Sequence, residues 1–374
     1  MKILIVSKGY PTLKYGLYGI FAFDQAKALV KAGHDVIFAA VDMRSIRKWR
    51  KWGYESLRSE NVNIECINIP CGSLNKNLWE KTTETAMRML WQRIEKKFGR
   101  PDVIHSHFIQ EGYIASKVFE CEGIPMVITE HYSGMNKGNI DSYLHKLGEY
   151  TYSRMDKVLA VSNTLADNIR RSFGVEVVTI PNIVDLEKFN YTEREIKERG
   201  FNFISVGNLV PLKNMDGMIR AFVKAFKTTE GVHLYIAGDG PERRKIEGLI
   251  NDSGMNDRIF LTGYMDRSAI AALMNGCDCF VLASRSETFG VALIEAMAAG
   301  LPVISTRSGG PEDFIDEQNG ILVPVDDQEK FREAMIFMYE NIERYSGEKI
   351  SKEITRKYSP QSVTGSLLKI YEEV

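Results

Sequence analysis

The sequence is most informative at residues 284–302, which read SRSETFGVALIEAMAAGLP. An apolar run, Cys279–Leu282, precedes this stretch and a second, Leu301–Ser305, ends it; short runs of this kind predict buried strands. Between them we predict one helix of about three turns, from near Phe289 to Gly300, because Gly and Pro are helix stop signals. Amides at a helix start lack intrahelical partners and carry positive potential. They therefore suit an anion such as a diphosphate.

Two glutamates of this stretch are candidate ligand-binding residues. Glu287 lies on the loop before the helix, and Glu295 lies within its apolar run. Carboxylates accept hydrogen bonds from hydroxyls, so this pair suits the sugar and ribose rings on the two sides of a diphosphate. The alternative is a glutamate that complements the helix dipole, together with a glutamate on a solvated helix face.

The pattern Glu-x-Phe-Gly, with a second Glu eight positions after the first, resembles the signature of the retaining glycosyltransferases of family 4. That family has the GT-B fold, an α/β architecture in which two doubly wound, Rossmann-like domains face each other across a cleft. The resemblance covers essentially the whole chain and is strongest from Phe203 to Val323. It implies that a nucleotide-diphospho-sugar binds the C-terminal domain and that an acceptor binds the N-terminal domain.

The order of the segments also favours two α/β domains. A chain of 374 residues is long for one compact core. Strand and helix signals alternate in both halves, which is typical of parallel sheets with helices on both faces. We predict an N-terminal acceptor-binding domain of residues 1–192 plus 359–374 and a C-terminal nucleotide-sugar-binding domain of residues 196–358. The polar stretch 191–200 is the predicted linker. The resemblance assigns the tail to the first domain, whereas the sequence alone equally allows a terminal helix on the second.

Composition indicates a globular protein without a membrane-spanning segment. Hydrophobic residues make up 44% and charged residues 26% of the chain. The apolar runs are far shorter than the ~20 residues that cross a bilayer. The first residues, MKILIV, predict a strand rather than a signal peptide. The five cysteines show no metal-type pairing, so we expect reduced thiols and a cytoplasmic protein.

Charge is unevenly distributed along the chain. Residues 1–190 carry a net charge of +5 and the remainder −6, an imbalance that suggests an anionic partner for the first half but no nucleic acid. Residues 44–52, RSIRKWRKW, combine five cations with two tryptophans. That composition suits peripheral contact with the anionic inner face of a membrane, or an acceptor bearing phosphate. The alternative is a solvated helix face with both tryptophans packed beneath it.

The resemblance assigns donor-side roles to three further residues. Lys213 matches a family lysine beside the diphosphate, where an ammonium stabilises the leaving group. Asn208 stands where the family usually has Arg, so it offers hydrogen bonds without charge. Tyr264 matches the segment that lines the nucleotide base, where it would stack on the base or cover the edge of the sheet.

In the first half, the resemblance points to one glycine and one histidine. Gly19 aligns with the second glycine of a family Gly-Gly pair near the diphosphate, and Tyr18 replaces the first. His131 matches a histidine beside the transferred sugar, with His107 as a weaker candidate. Three histidines near strand ends, His105 included, leave a metal site as an alternative.

We therefore predict His131, Glu287 and Lys213 as catalytic residues. The predicted donor-binding residues are Gly19, Asn208, Lys213, Tyr264, Glu287, Thr288, Phe289, Gly290, Val291 and Glu295. No cofactor or metal ion is expected, since the UDP- or GDP-linked sugar is a substrate. The implied function is a metal-independent, retaining hexosyltransferase of polysaccharide biosynthesis that uses a glycan, lipid-linked or small-molecule acceptor. The alternatives are a GT-B-fold nucleotide-sugar epimerase and a non-catalytic nucleotide-sugar-binding protein.

Overall fold

The computed structural model describes residues 1–12, 16, 18–71, 74–136, 140–193 and 200–374. The chain divides into two compact units, which we call unit 1 (Met1–Ile183 with Pro360–Val374) and unit 2 (Val184–Ser359). Each unit has one sheet with helices packed on it, so the predicted pair of doubly wound α/β domains is confirmed. Residues 194–199 of the predicted linker lie outside the described residues.

Unit 1 is built on an eight-stranded sheet with the order β3-β4-β2-β1-β5-β6-β7-β8. Its strands are β1 (Lys2–Ser7), β2 (Asp35–Arg44), β3 (Gly53–Ser59), β4 (Val62–Pro70), β5 (Val103–His107), β6 (Met126–Glu130), β7 (Lys157–Ala160) and β8 (Val178–Thr179). Its helices are α1 (Ile20–Lys31), α2 (Lys76–Phe98), α3 (Ile109–Phe119), α4 (Ser142–Tyr152), α5 (Asn163–Phe173) and the C-terminal α12 (Pro360–Glu372). Strand order reverses between β1 and β5, which makes this pair the switch point of the sheet.

The edge of this sheet departs from the sequence prediction, which gave helices between the strands of a parallel sheet. Strand β3 pairs antiparallel with β4, whereas β4 pairs parallel with β2. The two strands of the hairpin are joined at Glu60 and Asn61, whose φ angles are 48° and 65°. Two residues with positive φ are typical of a tight hairpin turn. Glu-Asn, however, lacks the glycine that is the usual sequence signal for such a turn. The hairpin was therefore missed.

The C-terminal helix α12 packs on unit 1. Its buried residues Val363, Leu367 and Ile370 belong to the apolar cluster that contains Ile3 and Leu29. The Tyr371 hydroxyl lies 2.6 Å from Nδ1 of His105. Burial of one face of the helix thus fixes the chain end on the first sheet, in the half to which the sequence prediction assigned residues 359–374.

Unit 2 is built on a six-stranded sheet with the order β11-β10-β9-β12-β13-β14, in which all neighbours are parallel. Its strands are β9 (Phe201–Val206), β10 (Val232–Ala237), β11 (Ile259–Gly263), β12 (Cys279–Leu282), β13 (Val303–Thr306) and β14 (Gly320–Val323). Its helices are α6 (Met215–Phe226), α7 (Arg243–Ser253), α8 (Arg267–Asn275), α9 (Val291–Ala298), α10 (Gln328–Glu340) and α11 (Gly347–Tyr358). Strand order reverses between β9 and β12, the switch point of this sheet.

The division between the units comes earlier than the predicted end of the first domain at residue 192. The Val184 amide donates to the Tyr358 carbonyl (3.0 Å). The Tyr191 ring lies so close to Gly300 that a Cβ there would be 2.5 Å from it. Residues 184–191 therefore pack with the elements of unit 2, a contact that polarity and charge along the sequence do not encode.

Candidate functional site

The loops that follow β9 and β12 carry most of the predicted site residues. These strands are neighbours at the switch point of unit 2. Their carboxyl ends lead into residues 207–214 and 283–290. Ligands of open α/β sheets bind outside the carboxyl ends of the strands at such a point. The fold thus brings two segments, more than 70 positions apart in the sequence, to one edge of the sheet.

Lys213 and Glu287 meet at this switch point. The Lys213 ammonium lies 2.5 Å from Oε1 of Glu287, and the two side chains are 23% and 11% exposed. The backbone of Glu287 is fixed by neighbours on the loop after β13, since its amide donates to Ser308 (2.8 Å) and its carbonyl accepts from Gly310 (2.9 Å). The two predicted catalytic residues of unit 2 therefore form an ion pair with limited solvent access.

Helix α9 begins beside this pair, and it is shorter than predicted. It spans Val291–Ala298, rather than about three turns from Phe289 to Gly300. Gly290 takes φ 98° at its start, a conformation that other residues rarely adopt. The first amide of the helix with an internal acceptor is that of Leu293, which donates to the Gly290 carbonyl (2.9 Å). The amides before it, from Thr288 to Ala292, have no backbone acceptor within the described residues, so they can donate to a ligand.

Glu295 is engaged by an arginine that the sequence analysis missed. The Arg267 guanidinium donates from Nε (3.1 Å) and Nη2 (2.7 Å) to Oε1 of Glu295. Arg267 is the first residue of α8, and its Nη1 also lies 3.8 Å from Asp185. The alternative of a solvated glutamate is wrong, because Glu295 is only 8% exposed. No local signal marks Arg267, since α8 and α9 meet only in the folded unit.

Two predicted donor-binding residues of unit 2 are exposed. The Asn208 side chain lies on the surface of the loop after β9. Tyr264 follows β11 and is 61% exposed. Each stands at the carboxyl edge of the sheet, and their roles stay predictions.

His131 and Gly19 belong to unit 1. The Nε2 atom of His131 lies 3.0 Å from Nδ1 of His107, and the His131 ring stacks on Phe21 with centroids 5.8 Å apart. Burial lowers the pKa of His107 to about 3, and burial together with His107 and Lys8 holds the pKa of His131 well below its usual value. Both imidazoles are therefore neutral at pH 7, so each has one donor and one acceptor nitrogen.

Glu130 positions the backbone of His131, a role that the sequence analysis did not assign. Its Oε1 accepts from the amides of His131 (2.9 Å) and Tyr132 (2.8 Å), and its Oε2 accepts from the Tyr152 hydroxyl (3.0 Å). Burial raises the pKa of the Glu130 carboxyl to about 7.

The alternative of a three-histidine metal site fails on geometry. His105 faces Tyr371 (2.6 Å) with Nδ1 and Thr129 (2.7 Å) with Nε2, so both of its nitrogens are engaged. Among the described residues, no group of three metal-ligating side chains forms.

Gly19 is required by close packing of two backbone segments. It starts α1 with φ 69°, and a Cβ there would lie 2.0 Å from the carbonyl oxygen of Gly9. Any larger residue would separate the two segments. This packing is a sufficient reason for glycine, and the predicted contact with a diphosphate stays a prediction.

Residues 44–52 form a turn after β2, and two of their five cations are buried. Arg44 and Arg50 both bind the carboxylate of Asp42, which is inaccessible to solvent. Between them, Ile46 is 66% and Trp49 is 65% exposed. The alternative of a solvated helix above buried tryptophans is wrong, because residues 45–52 are not helical. Over the described part of the chain, no helix has both the length and the apolar character needed to cross a bilayer.

Comparison with known proteins identifies the family of this chain. Residues 19–188 match the family described as Glycosyltransferase Family 4, and residues 188–353 match Glycosyl transferases group 1. An uncharacterized glycosyltransferase of Methanocaldococcus jannaschii is 30% identical over 281 residues, which cover 73% of this chain and 76% of that protein. The N-acetyl-alpha-D-glucosaminyl L-malate synthase of Bacillus anthracis is 28% identical over 394 aligned positions, covering 100% of this chain and 98% of the relative.

A solved structure supports the same assignment at the level of the fold. The Anabaena protein HepE, in complex with UDP and glucose, superposes with a TM-score of 0.77 at 16% identity, covering 100% of both chains. The two sheets with their switch points, the family matches and this likeness agree with the resemblance drawn from the Glu-x-Phe-Gly stretch. The chain belongs to the group 1, family 4 glycosyltransferases and has the GT-B fold.

Proposed function

We propose that this protein transfers a hexosyl group from a UDP- or GDP-linked sugar to an acceptor hydroxyl, with retention of configuration and without a metal ion. The observation that carries the proposal is the Lys213–Glu287 ion pair at the start of α9, within the switch point of unit 2. A cation and free helix amides attract a diphosphate, and the carboxylate beside them accepts hydrogen bonds from sugar hydroxyls. HepE, which shares this fold, was crystallised with UDP and glucose.

In the proposed complex, unit 2 holds the donor. The Lys213 ammonium and the amides of Thr288–Val291 contact the diphosphate, Glu287 the donor sugar and Glu295 the ribose hydroxyls. Arg267 holds Glu295 through one carboxylate oxygen, and a carboxylate has about four lone-pair sites. In this proposal the ribose hydroxyls approach the same carboxylate that the arginine holds. Asn208 and Tyr264 extend this surface toward the diphosphate and the base.

The proposed reaction balances without a protein nucleophile. The acceptor oxygen forms a bond to the anomeric carbon on the face from which the diphosphate leaves. The bond from that carbon to the diphosphate oxygen breaks, and the acceptor proton passes to the leaving phosphate. Negative charge grows on the diphosphate, where Lys213 and the helix amides stabilise it. These groups supply the charge that a metal ion provides in other transferases, which is why we propose metal independence.

Unit 1 contributes His131 and the acceptor. His131 Nδ1 is buried and has no hydrogen-bond partner among the described residues, and we propose that it meets a hydroxyl of the transferred sugar. We place the acceptor, whether glycan, lipid-linked or small molecule, at unit 1. The names of relatives point to different acceptors, since one is named for L-malate and others for glycogen or phosphatidylinositol.

The turn at residues 45–51 is a proposed contact with an anionic membrane surface. Buried Arg44 and Arg50 fix both ends of the turn on Asp42. Exposed Ile46 and Trp49 project between the exposed cations Arg47, Lys48 and Lys51. Apolar and aromatic residues flanked by cations suit the interface of an anionic bilayer.

A screen with nucleotide sugars tests the proposed function. The unfolding temperature is measured with UDP-, GDP- and ADP-sugars, with and without EDTA, and the anomeric configuration of any product is determined by NMR. A ligand at about 100 times its Kd adds about 2.7 kcal/mol to the free energy of unfolding. We expect stabilisation by UDP or GDP sugars, unaffected by EDTA, and a product with the donor's configuration. Inversion, or conversion of free donor to an epimer without an acceptor, would refute the proposal.

A further inference from the structure

Unit 1 has a cavity at its own switch point that the proposed donor site does not use. Its volume is about 280 Å³, and it opens at the carboxyl ends of β1 and β2, beside the start of α3. This is the position where open α/β sheets bind ligands. A single water needs about 10–15 Å³ of such volume, so the cavity is far larger than a one-water site. A small molecule, or one end of a larger one, fits.

Three polar groups that line this cavity have no hydrogen-bond or ion-pair partner among the described residues. Ser7 is 1% exposed, and its hydroxyl has no hydrogen-bond partner within the described residues. The Oε2 atom of Glu111, on the first turn of α3, is also buried and has no hydrogen-bond partner among the described residues. Buried polar atoms are nearly always hydrogen-bonded, so unsatisfied ones on a cavity wall indicate a hydroxyl-bearing or water-bearing site.

The third group is the ammonium of Lys8. It forms no ion pair with a described residue, and its near neighbours are the rings of Phe108 and Tyr18, with centroids 4.6 Å and 5.7 Å from Nζ. Burial raises the pKa of the Glu111 carboxyl to about 7 despite the nearby ammonium. At neutral pH, Glu111 can thus be protonated and donate a hydrogen bond to an anion. The cavity accordingly favours a negatively charged group.

We infer that this cavity binds a small hydroxylated anion, whose carboxylate or phosphate meets Lys8 and whose hydroxyls meet Glu111 and Ser7. If the proposed function holds, this anion is the acceptor or the part of the acceptor that carries the reacting hydroxyl. The aromatic walls, Tyr18, Phe108 and Trp79, cover the carbon skeleton.

Binding to the full chain, measured by calorimetry, tests this inference with two matched pairs of probes. Glycerol 3-phosphate is compared with glycerol, which lacks the anion, and tartrate with succinate, which lacks the hydroxyls. We expect at least one hydroxylated anion to bind at least tenfold more tightly than its matched compound. The pair that responds distinguishes phosphate from carboxylate. If neither glycerol 3-phosphate nor tartrate binds more tightly than its matched compound, the inference is wrong.

Substitutions locate the binding. Lys8→Met should weaken it at least tenfold, whereas Lys81→Met, an exposed lysine of α2, should leave it unchanged. If Lys8→Met does not fold, Ser7→Ala reports on the same cavity and should weaken binding several-fold. Unchanged binding in a folded Lys8→Met or Ser7→Ala variant would overturn the inference.

Binding of UDP separates this inference from the proposed function. Variants of the cavity should bind UDP as the wild type does, because the proposed donor site lies in unit 2. Failure of the wild type to bind any nucleotide would count against the proposed function alone. Loss of anion binding without loss of UDP binding would support the inference.

Discussion

The switch point of unit 2 holds its charged side chains in pairs, whereas that of unit 1 leaves ionisable groups facing a cavity. In unit 2, Lys213 binds Glu287 and Arg267 binds Glu295. In unit 1, Lys8 and the Oε2 atom of Glu111 have neither an ion pair nor a hydrogen bond among the described residues. Two sheets of similar topology thus differ in their electrostatics: the charged groups of unit 2 are paired, and the ionisable groups of unit 1 face a cavity.

This difference has a physical consequence for binding. A diphosphate entering unit 2 must compete with Glu287 for Lys213, so donor binding exchanges one ion pair for another. An anion entering unit 1 meets a cation without a carboxylate partner, so no ion pair is broken. Buried unpaired charge is costly, which is why such groups mark sites more often than structural contacts.

The largest effect is expected from breaking the pair in unit 2. Glu287→Ala removes the proposed contact with the donor sugar and releases Lys213. We expect kcat for transfer to fall by about 10²–10³ or more, with the fold intact. Steady-state kinetics and circular dichroism measure the two properties, and Glu230→Ala, an exposed glutamate, is the control. Full turnover in Glu287→Ala would remove the basis of the proposed donor site.

The unpaired carboxyl of unit 1 should make stability depend on pH. Burial raises the pKa of Glu111 from 4.5 to about 7 in the folded protein. The folded state therefore keeps a proton that the unfolded chain releases, and this stabilisation is lost as pH rises from about 4.5 to 7. Glu111→Gln should gain roughly 1–3 kcal/mol relative to the wild type between pH 4.5 and pH 8, measured by denaturant unfolding.

Two neighbouring groups affect the pKa of Glu111: Lys8 lowers it and Glu130 raises it. Both residues are present in the wild type and in Glu111→Gln, so the difference between the two free energies of unfolding reports on Glu111. Glu149→Gln, a substitution on the exposed face of α4, should show no such trend. If the free energies of unfolding of Glu111→Gln and the wild type differ by the same amount across this pH range, Glu111 is solvated.

The second pair of unit 2 should affect nucleotide binding more than turnover. Arg267 positions Glu295, so Arg267→Met should raise the KM for the donor and the Kd for UDP about tenfold, with a smaller change in kcat. Arg267→Lys should recover part of the loss. The exposed Arg244→Met is the control. A fall in kcat as large as the expected rise in KM, with an unchanged Kd for UDP, would contradict this positioning role.

The smallest effect concerns the turn that the Asp42 ion pairs hold in unit 1. Ile46→Ser with Trp49→Ser should reduce partition onto vesicles rich in anionic lipid about fivefold and leave the unfolding temperature nearly unchanged. Co-sedimentation measures this partition. Leu78→Ser, at a residue that is 48% exposed in the same unit, provides the matched control. Equal loss in the control, or no binding by the wild type, would exclude this membrane contact.

Several features could be predicted because they depend on neighbours in the sequence. Alternating apolar strands and helices identified the doubly wound units, and the Glu-x-Phe-Gly stretch identified the family. The hairpin of β3 and β4 was missed because its Glu60-Asn61 turn lacks glycine and β3 is largely polar. The length of α9 was overestimated because Gly290, which delays the start of the helix, was read as part of it.

The sequence by itself determined the α/β class, the family and the identity of Lys213, Glu287, Glu295 and His131 as candidates. The tertiary structure decided which of these side chains are paired and which polar groups remain without partners. Arg267 reaches Glu295, and Lys8 comes near Glu111, across elements that are far apart in the chain. Burial and pairing arise from packing between such elements, and no local pattern of residues encodes them.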